Sequence, residues 1–220
     1  MLKVGVLLCV VLLTMCLSSA KIDFLQLQRM NTADLLSNYK PSSPEEIGYQ
    51  ALMLDFLRLH DNAYSRSCHL GHFTASAWIL NNTHDHVLMM HHVKLNKWLQ
   101  LGGHCDENPN CIAVAMTEAQ EESGLAEVQL LSSNIFDIDI HLIPARKNEQ
   151  THYHYDIRFL LQADSNAAIS KNHESHALAW VPLGAVHQKT TERSITRMVE
   201  KTVALNGYHQ NQTLAAHLSK

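Results

Sequence analysis

The sequence has few charged residues and no excess of basic ones. Lysine and arginine number 17 against 21 aspartates and glutamates, so the net charge is −4 with histidine neutral. Proteins that bind nucleic acid through a charged surface carry a basic patch, so this class of function is not indicated. Internal repeats and low-complexity tracts are also missing, which argues against a repeat architecture. The 220 residues suit one domain, with or without short appendages.

The chain also lacks an apolar run with the length and flanks of a membrane span. The apolar stretch at residues 4–16 is too short, but it follows Lys3 and precedes small residues up to Ala20. This pattern predicts a signal peptide over residues 1–20, cleaved after Ala20, and an exported (periplasmic or secreted) protein with no stable membrane span. An uncleaved anchor and a wrongly assigned start codon are the alternatives, and the latter would leave the protein in the cytoplasm.

Three glutamates stand out in residues 101–125, where two glycines open a polar loop that precedes a helical pattern. Glu118, Glu121 and Glu122 are spaced i, i+3 and i+4, which places them on one helix face. Like charges in this arrangement lower helix stability by a few tenths of a kcal/mol per pair, on the order of 0.2–0.5 kcal/mol. A hard divalent cation such as Mg²⁺, which prefers carboxylate oxygens and substrate phosphates, would reverse that effect.

The same stretch resembles the Nudix box, G-x5-E-x7-R-E-U-x-E-E-x-G-U, the signature of the Nudix (MutT-like) hydrolases. Gly103 opens the box, the three glutamates occupy its R-E and E-E positions, and Gly124 closes it with Leu125. Two positions depart from the pattern, since the first glutamate falls on Pro109 and the arginine on Thr117. Further segments, among them GHFTASAW and HYHYDIRFL, resemble a bacterial branch of the family over roughly residues 40 to 200.

The resemblance implies a hydrolase that splits a phosphoanhydride in a nucleoside diphosphate linked to another moiety, a small nucleotide-type substrate. It implies that Mg²⁺, or Mn²⁺ as its substitute, is held by the three glutamates and the Gly102 carbonyl. Either Glu118 or Glu174 would serve as general base. Lys94 is placed where a cation could meet a diphosphate, although an ordinary surface lysine is the alternative.

Two other functions stay open at this point. The departures at Pro109 and Thr117 would suit a catalytically weakened Nudix-fold module that binds a nucleotide. An enzyme resembling the isoprenoid-diphosphate isomerases would keep the fold and change the reaction, but its additional cysteine and glutamate motifs are not convincing in this chain. The oligomeric state is open.

Cysteine is scarce, and signal cleavage would leave the odd number of three, Cys68, Cys105 and Cys111. Cys105 and Cys111 lie inside the box loop. In an oxidising compartment a disulfide between them could brace the loop where the usual glutamate and arginine are missing. Two free thiols are the alternative.

The sequence is unusually rich in histidine, with sixteen residues. His152, His154 and Asp156 alternate along one strand, and His104 and His141 lie in segments that could approach the same sheet. Such a group could bind Zn²⁺ or Fe²⁺, or hydrogen-bond the sugar and phosphates of a substrate, or form structural hydrogen bonds. Of these hypotheses, we predict that His152 and His154 bind the substrate.

Hydrophobic periodicity predicts an α/β protein. Ser43, Pro44 and Glu46 form a helix start with a capping box. The helix then runs to about His60, with an apolar face of Ile47, Ala51, Leu54 and Leu57 or Phe56. Strands are predicted over residues 73–80, 86–92, 134–143, 152–162 and 177–183, and a terminal helix over 194–205.

These elements predict a mixed sheet between helical layers, and the resemblance implies the same Nudix-type α/β/α sandwich. The predicted organisation is an N-terminal helical extension over residues 21–65, a hydrolase domain over 66–205, and a loosely ordered C-terminal tail over 206–220.

Overall fold

The computed structural model describes residues 31–146 and 149–218. The predicted signal peptide lies outside the described residues, as do residues 21–30 of the predicted N-terminal extension.

Helices pack around one eight-stranded sheet. The helices are α1 (Thr32–Asn38), α2 (Pro44–Leu59), α3 (Cys111–Ser123) and α4 (Arg193–Leu218), and a 3-10 helix (Leu183–Gln188) precedes α4. The strands are β1 (Gly71–Leu80), β2 (His86–His92), β3 (Lys97–Leu99), β4 (Leu101–His104), β5 (Gln129–Leu130), β6 (Asp137–Ile143), β7 (His152–Gln162) and β8 (Ser175–Pro182).

The sheet is mixed. β1 and β7 pair in parallel from Gly71 opposite Tyr153 to Leu80 opposite Gln162. The other pairings are antiparallel, with β4 beside β1, β5 and β6 beside β7, and β2 between β3 and β8. This topology confirms the predicted α/β class and mixed sheet.

β1 is buried on both faces, although its sequence predicts an alternating strand. Phe73, Ala75 and Ala77 pack in a core cluster with residues of α2 and α3. Trp78 and Leu80, on the opposite face, pack in a second cluster with residues of α4. Small and apolar residues on both faces let helices cover the strand from two sides, which produces the predicted sandwich.

Helix α2 begins as predicted, but its buried face differs from the predicted one. Ser43 caps the helix by accepting a hydrogen bond from the Glu46 N–H at 3.3 Å. Phe56 is buried as predicted, and Leu54 and Leu57 pack against the core, but Ile47 is 60% exposed, Ala51 is also exposed, and Met53 is buried in their place. The buried side of α2 also carries Glu46, because this carboxylate enters an ion-pair network inside the protein. The spacing of the apolar residues alone did not predict this rotation of α2 about its own axis.

Glu46 does not complete the predicted capping box. Its carboxylate accepts the N–H of Ser42 at 2.7 Å rather than that of Ser43. It also pairs with Lys201 and lies 3.6 Å from the Arg197 guanidinium. A fully buried carboxylate needs cationic partners to offset its desolvation, and α4 supplies both.

The polar side of β6 is another departure from the predicted pattern. Asp137 and Asp139 are buried, whereas Leu142 on the apolar side is 52% exposed. Asp137 pairs with Arg158 at 3.0 Å and with Arg197 at 2.8 Å. Because α4 covers this side of the sheet and carries Arg197, the aspartates form internal ion pairs instead of facing solvent.

Helix α4 continues to Leu218, beyond the predicted end at Leu205. The pair Asn206-Gly207 favours a helix end and explains the predicted boundary. The backbone nevertheless stays helical through this pair, and no proline interrupts residues 193–218. None of the helices in the described part of the chain combines the length and the apolar character required to cross a membrane.

Candidate active site

Helix α3 carries the three box glutamates, and polar and glycine caps define its ends. The Asn110 side chain accepts the Ala113 N–H at 3.1 Å at the start. Gly124 ends the helix with a φ of 69°, a left-handed conformation that glycine adopts without strain. Glu118, Glu121 and Glu122 therefore lie in the last two turns of the helix.

The strand β4 holds this end of α3 through two close approaches. The Gly102 N–H donates a hydrogen bond to the Glu122 carboxylate at 2.8 Å, and Glu122 is 2% exposed. A Cβ at Gly103 would overlap the carboxylate of Glu118. Gly102 has a φ of 152° and packs against Ser76 and Ala75 on β1. Both glycines are needed because side chains would occupy the space taken by the glutamates or by β1.

The structure brings Glu174 close to the box glutamates. Burial raises the pKa of Glu118 to about 7, with further contributions from the negative charges of Glu121 and Glu174. Burial also raises the pKa of Glu122 to about 8, although the Gly102 N–H opposes this, and Glu118, Glu174 and Glu121 raise it further. Four carboxylates from α3 and the β7–β8 connection thus repel one another in one region of the molecule.

Such a group of carboxylates is suited to bind a divalent cation. Hard cations such as Mg²⁺ and Mn²⁺ take carboxylate oxygens as ligands, and binding one would replace the mutual repulsion of Glu118, Glu121 and Glu122 by attraction. The half-buried Glu118 and the buried Glu122 would point fixed oxygens at the ion, whereas Glu121 is exposed and open to substrate.

The loop between β4 and α3 is braced from outside the box. Asp106 and Glu107 adopt positive φ values of 46° and 71°, a conformation that non-glycine residues hold only when contacts require it. Arg66 binds the Asp106 carboxylate with two hydrogen bonds of 2.6 and 2.7 Å. The Thr32 hydroxyl donates to the Pro109 carbonyl at 2.7 Å, and the Glu107 N–H donates to the Tyr64 carbonyl at 2.9 Å.

Arg66 is a site residue that the sequence did not reveal. Its charge lowers the pKa of Glu118, and with Asp106 it forms an ion pair beside the box, whose own arginine position is Thr117. No local pattern around Arg66 indicates this role, because Asp106 is 40 residues away in the sequence.

The suggested disulfide in the loop is not formed. The sulfur atoms of Cys105 and Cys111 lie 3.6 Å apart, and both cysteines are free thiols, as is Cys68. The contact with Cys111 and burial raise the pKa of the Cys105 thiol well above its usual value. The loop is therefore packed around two thiols, in agreement with the alternative stated above.

Lys94 lies in the turn between β2 and β3 and is exposed. Its neighbour Val93 donates its N–H to the Glu174 carbonyl at 2.8 Å. Burial lowers the pKa of His92, while Glu174 raises it and Lys94 lowers it further. Lys94 and Glu174 thus flank His92 at the same edge of the sheet. Contact of Lys94 with substrate stays a prediction.

His152 and His154 lie apart from the box glutamates. Both rings contact His72 on β1, with centroid distances of 5.0 and 4.9 Å. His72 alternates with Phe73 and Ala75, which face α3, so the histidines lie on the opposite face of the sheet from α3. A direct role of His152 and His154 in substrate binding stays a prediction.

Asp156 does not join these histidines as a ligand. Its carboxylate accepts hydrogen bonds from Thr74 at 2.9 Å and Ser76 at 2.8 Å, and it pairs with Arg158 at 2.7 Å. Its acceptor positions face partners within the sheet, so His72 takes the place of Asp156 beside His152 and His154. His104 and His141 approach this group as predicted, with ring centroids 4.9 and 5.3 Å from that of His154.

Comparisons with known proteins place the fold in a family. A family model described as NUDIX domain matches residues 70–201. The structure is similar to a C. elegans Ap4A hydrolase, with a TM-score of 0.50 and 14% identity over 61% of this chain and 97% of that chain. It is also similar to a NUDIX family hydrolase from Clostridium perfringens, with a TM-score of 0.49 and 26% identity over 61% of this chain and 97% of that chain.

A comparison with curated proteins found no match to this chain. The family model covers more than half of the sequence, and its match includes the box glycines, the three glutamates of α3 and Glu174. The chain therefore belongs to the Nudix hydrolases, a family that hydrolyses pyrophosphate bonds in nucleotide-type substrates and generally uses divalent metal ions.

Proposed function

We propose that this chain is a Mg²⁺-dependent hydrolase that cleaves the phosphoanhydride bond of a nucleoside diphosphate linked to another moiety. The observation that carries the proposal is the placement of the box glutamates at the end of α3, where Glu122 accepts the Gly102 N–H and Glu118 lies against Gly103. Burial, together with the negative charges of Glu121 and Glu174, raises the pKa values of these two carboxyls. A diphosphate carries the negative charge that a metal ion held by these groups would attract.

Glu118, Glu121, Glu122 and the Gly102 carbonyl would hold the Mg²⁺, with Mn²⁺ as a substitute. Bound there, the ion would neutralise charge on the diphosphate and lower the pKa of a water molecule. The hydrogen bond from Gly102 to Glu122 keeps that carboxylate in position. Because Gly103 has no side chain, the Glu118 carboxylate can occupy the space beside β4.

The proton of the attacking water needs an acceptor within hydrogen-bond reach. Glu174 is the first candidate, because it lies outside α3 and can take the proton without releasing the metal. Its backbone is fixed by bonds to Val93 and Asn172, at 2.8 and 2.9 Å. Glu118 is the second candidate. Lys94 would contact the diphosphate from the edge of the sheet beside Glu174.

The test is a screen of nucleoside diphosphate derivatives with Mg²⁺ and with Mn²⁺, scored by release of nucleoside monophosphate or phosphate. We expect turnover of at least one derivative and its loss in Glu121→Gln. Glu127→Gln is the matched control, since Glu127 is exposed just beyond α3 and does not contribute to the pKa shifts of Glu118 or Glu122. Equal activity of the two variants would refute the assigned metal site.

A comparison of Glu174→Gln with Glu118→Gln distinguishes the two candidate bases. If Glu174 is the base, Glu174→Gln lowers kcat and leaves the Mg²⁺ concentration for half-maximal activity unchanged. Near-normal turnover of Glu174→Gln would indicate that Glu118 accepts the proton of the attacking water.

Loss of the box glutamate and arginine at Pro109 and Thr117 supports a second candidate, a Nudix-fold protein that binds a nucleotide and turns it over weakly. The contacts of Arg66 and Thr32 with the loop favour the active enzyme, because they hold the loop where the missing pair would. Tight binding of one derivative without turnover in either metal would favour the second candidate.

A further inference from the structure

Three histidines meet on the face of the sheet opposite α3. His72 on β1 is opposite His154 in the parallel pairing of β1 with β7, and His152 lies two residues before His154 on the same side of β7. Each ring offers a nitrogen, and these nitrogens lie within 4.8 Å of one another. The register of two central strands therefore brings the three rings together.

His72 lacks the partners that a buried imidazole requires. It is 4% exposed, and neither of its ring nitrogens makes a hydrogen bond of normal geometry. Burial lowers its pKa to about 4, and the nearby Cys68 backbone opposes this only in part. Leaving a polar group buried without a partner reduces stability by about 1–3 kcal/mol. In native proteins such a group commonly marks a bound water or ion.

His152 is oriented like a metal ligand. Its Nδ1 lies 2.8 Å from the Gln150 carbonyl, so this nitrogen carries the hydrogen, and Nε2 presents its lone pair towards His154. Metal-binding histidines are commonly fixed in this way by a backbone carbonyl. The Nε2 atoms of His152 and His154 lie 3.2 Å apart. Two nitrogens on a tetrahedral Zn²⁺, each about 2.0–2.1 Å from the metal, are separated by about 3.3 Å.

We propose that His72, His152 and His154 bind one divalent transition-metal ion, with Zn²⁺ as the best fit, at a site separate from the box carboxylates. Imidazole nitrogens suit zinc and other transition metals, whereas Mg²⁺ prefers oxygen ligands. The two sites therefore select different metals. The Nε2 atoms of His152 and His154 already have tetrahedral spacing, and all three ligand nitrogens lie within 4.8 Å of one another.

The ion would keep an open coordination position. A cavity of about 400 Å³ adjoins the site and is lined by His72, His152, Arg66 and Glu149, and by His104, whose ring contacts His72 but whose nitrogens lie outside the group of three. Three histidine ligands with one open position are typical of zinc sites that bind a further ligand, whereas structural sites use four protein ligands. An anionic group entering the cavity would face both the metal and Arg66.

Arg66 acts on both sites. Its guanidinium lines the cavity and binds Asp106, and its charge also acts on Glu118. The ion pair of Arg66 and Asp106 thus borders the cavity of the histidines and acts electrostatically on the carboxylates. A metal bound by the histidines would not share a ligand with one bound by Glu118, Glu121 and Glu122.

The test measures Zn²⁺ binding to the full chain, purified without a histidine tag and treated with chelator. Binding is followed by equilibrium dialysis in an excess of Mg²⁺, which keeps the carboxylates occupied, and bound zinc is counted by mass spectrometry. We expect one Zn²⁺ per chain. We also expect Co²⁺ in its place to give the visible absorption of a tetrahedral site with nitrogen ligands.

His152→Asn and His72→Asn should each weaken Zn²⁺ binding by at least about 100-fold, since removing a ligand exceeds the 10–100-fold effect of removing a group that orients one. His141→Asn is the matched control, because its ring lies 5.3 Å from that of His154 but outside the group of three. Glu121→Gln is the control for the carboxylate site. Both controls should bind zinc as the unmodified chain does.

His152 is half-buried, so His152→Asn decides the question even if His72→Asn, with its buried position, fails to fold. Failure of the unmodified chain to bind zinc in excess Mg²⁺ would overturn the proposal, as would equal binding by His152→Asn. Loss of zinc in Glu121→Gln would overturn it as well, since the metal would then reside in the box. These results are independent of hydrolysis, so they stand whether or not the proposed activity is found.

Discussion

Glu122 is held by its own helix and by the neighbouring strand. It is buried on α3, and its carboxylate accepts the Gly102 N–H of β4. Glu118, one turn earlier, lies against Gly103 of the same strand. Because each glutamate is positioned by a glycine, the exact geometry of the candidate metal site depends on residues that carry no functional group of their own.

Gly103→Ala tests this dependence. The added methyl group would overlap the Glu118 carboxylate and push it out of position, and a displacement of about 1 Å at a reacting group can lower the rate about 100-fold. We expect kcat/KM with Mg²⁺ to fall by a similar factor while the circular dichroism spectrum is retained.

The matched control for this substitution is Gly184→Ala in the 3-10 helix, where nothing lies within 4 Å of an added Cβ. It should leave kcat/KM unchanged. Full activity of Gly103→Ala would show that Glu118 does not need the position that the structure gives it.

At the scale of elements, α4 and α2 are joined to the sheet by buried charges. Arg197 of α4 binds Asp137 with hydrogen bonds of 2.8 and 2.9 Å, and it donates to the Ile138 carbonyl at 2.6 Å. It also reaches Glu45 at the start of α2 at 2.8 Å. The Arg197 guanidinium therefore holds both α4, which follows the strands, and α2, which precedes them.

Arg197→Met should destabilise the protein by up to about 5 kcal/mol, because the buried Asp137 loses one of its three cationic partners and keeps only Arg158 and Lys201. Urea unfolding measures this free energy. Arg193→Met in the same helix is the control: Arg193 pairs with Glu200 at 3.0 Å, but both side chains are more than half exposed. Such a surface pair contributes about 0–1 kcal/mol. Equal destabilisation by the two substitutions would refute the structural role of the network.

The pH dependence of stability follows from the same network. Burial alone would raise the pKa of Glu46, but hydrogen bonds from Lys201, Ser42 and Tyr39 outweigh it and lower the pKa to about 2. Burial likewise opposes the effect of Arg158 and His141 on Asp139, whose pKa is lowered to about 2. In the unfolded chain the two groups titrate near 4.5 and 3.8.

A lowered carboxyl pKa stabilises the folded state above the unfolded pKa, and this contribution is lost as the pH falls through the folded pKa. We therefore expect the free energy of unfolding to decrease from about pH 4.5 towards pH 2. Urea titrations at a series of pH values measure it. The decrease should be smaller in Arg197→Met, which removes a charge that lowers the pKa of Asp139. A flat profile over this range would contradict the assignment.

At the scale of the whole molecule, the elements before the hydrolase strands are packed into the same body. Leu35 and Leu36 of α1 and Met53 and Phe56 of α2 are buried in the core cluster that contains Phe73. Thr32 of α1 also reaches the box loop through the Pro109 carbonyl. The predicted N-terminal extension therefore supports the candidate active site in addition to the sheet.

We predict that the mature chain begins at Lys21 after export, since residues 1–20 follow the pattern of a cleaved signal. Mass spectrometry of protein recovered from the extracytoplasmic fraction of a bacterial host measures its N-terminus. Replacing Ala20 by a bulky residue should block cleavage. Recovery of an intact Met1 in the cytoplasm would contradict the prediction.

Local sequence patterns were enough to predict the class of the fold and the candidate metal carboxylates. The periodicities of β2, β7, β8 and α2 gave boundaries close to those in the structure, because hydrophobic alternation, helix caps and turn residues act locally. The spacing of Glu118, Glu121 and Glu122 likewise follows from helix geometry alone. These features depend on residues within a few positions of one another.

Which polar residues become buried partners depends on how distant segments of the chain pack together. The ion pairs of Arg197 with Asp137 and the bracing of the box loop by Arg66 join residues 60 and 40 positions apart. The meeting of His72 with His154 depends on the parallel register of β1 and β7. A one-residue shift in that register would reverse the face on which these rings lie. Long-range pairing of this kind has no local signature, so the sequence could not reveal it.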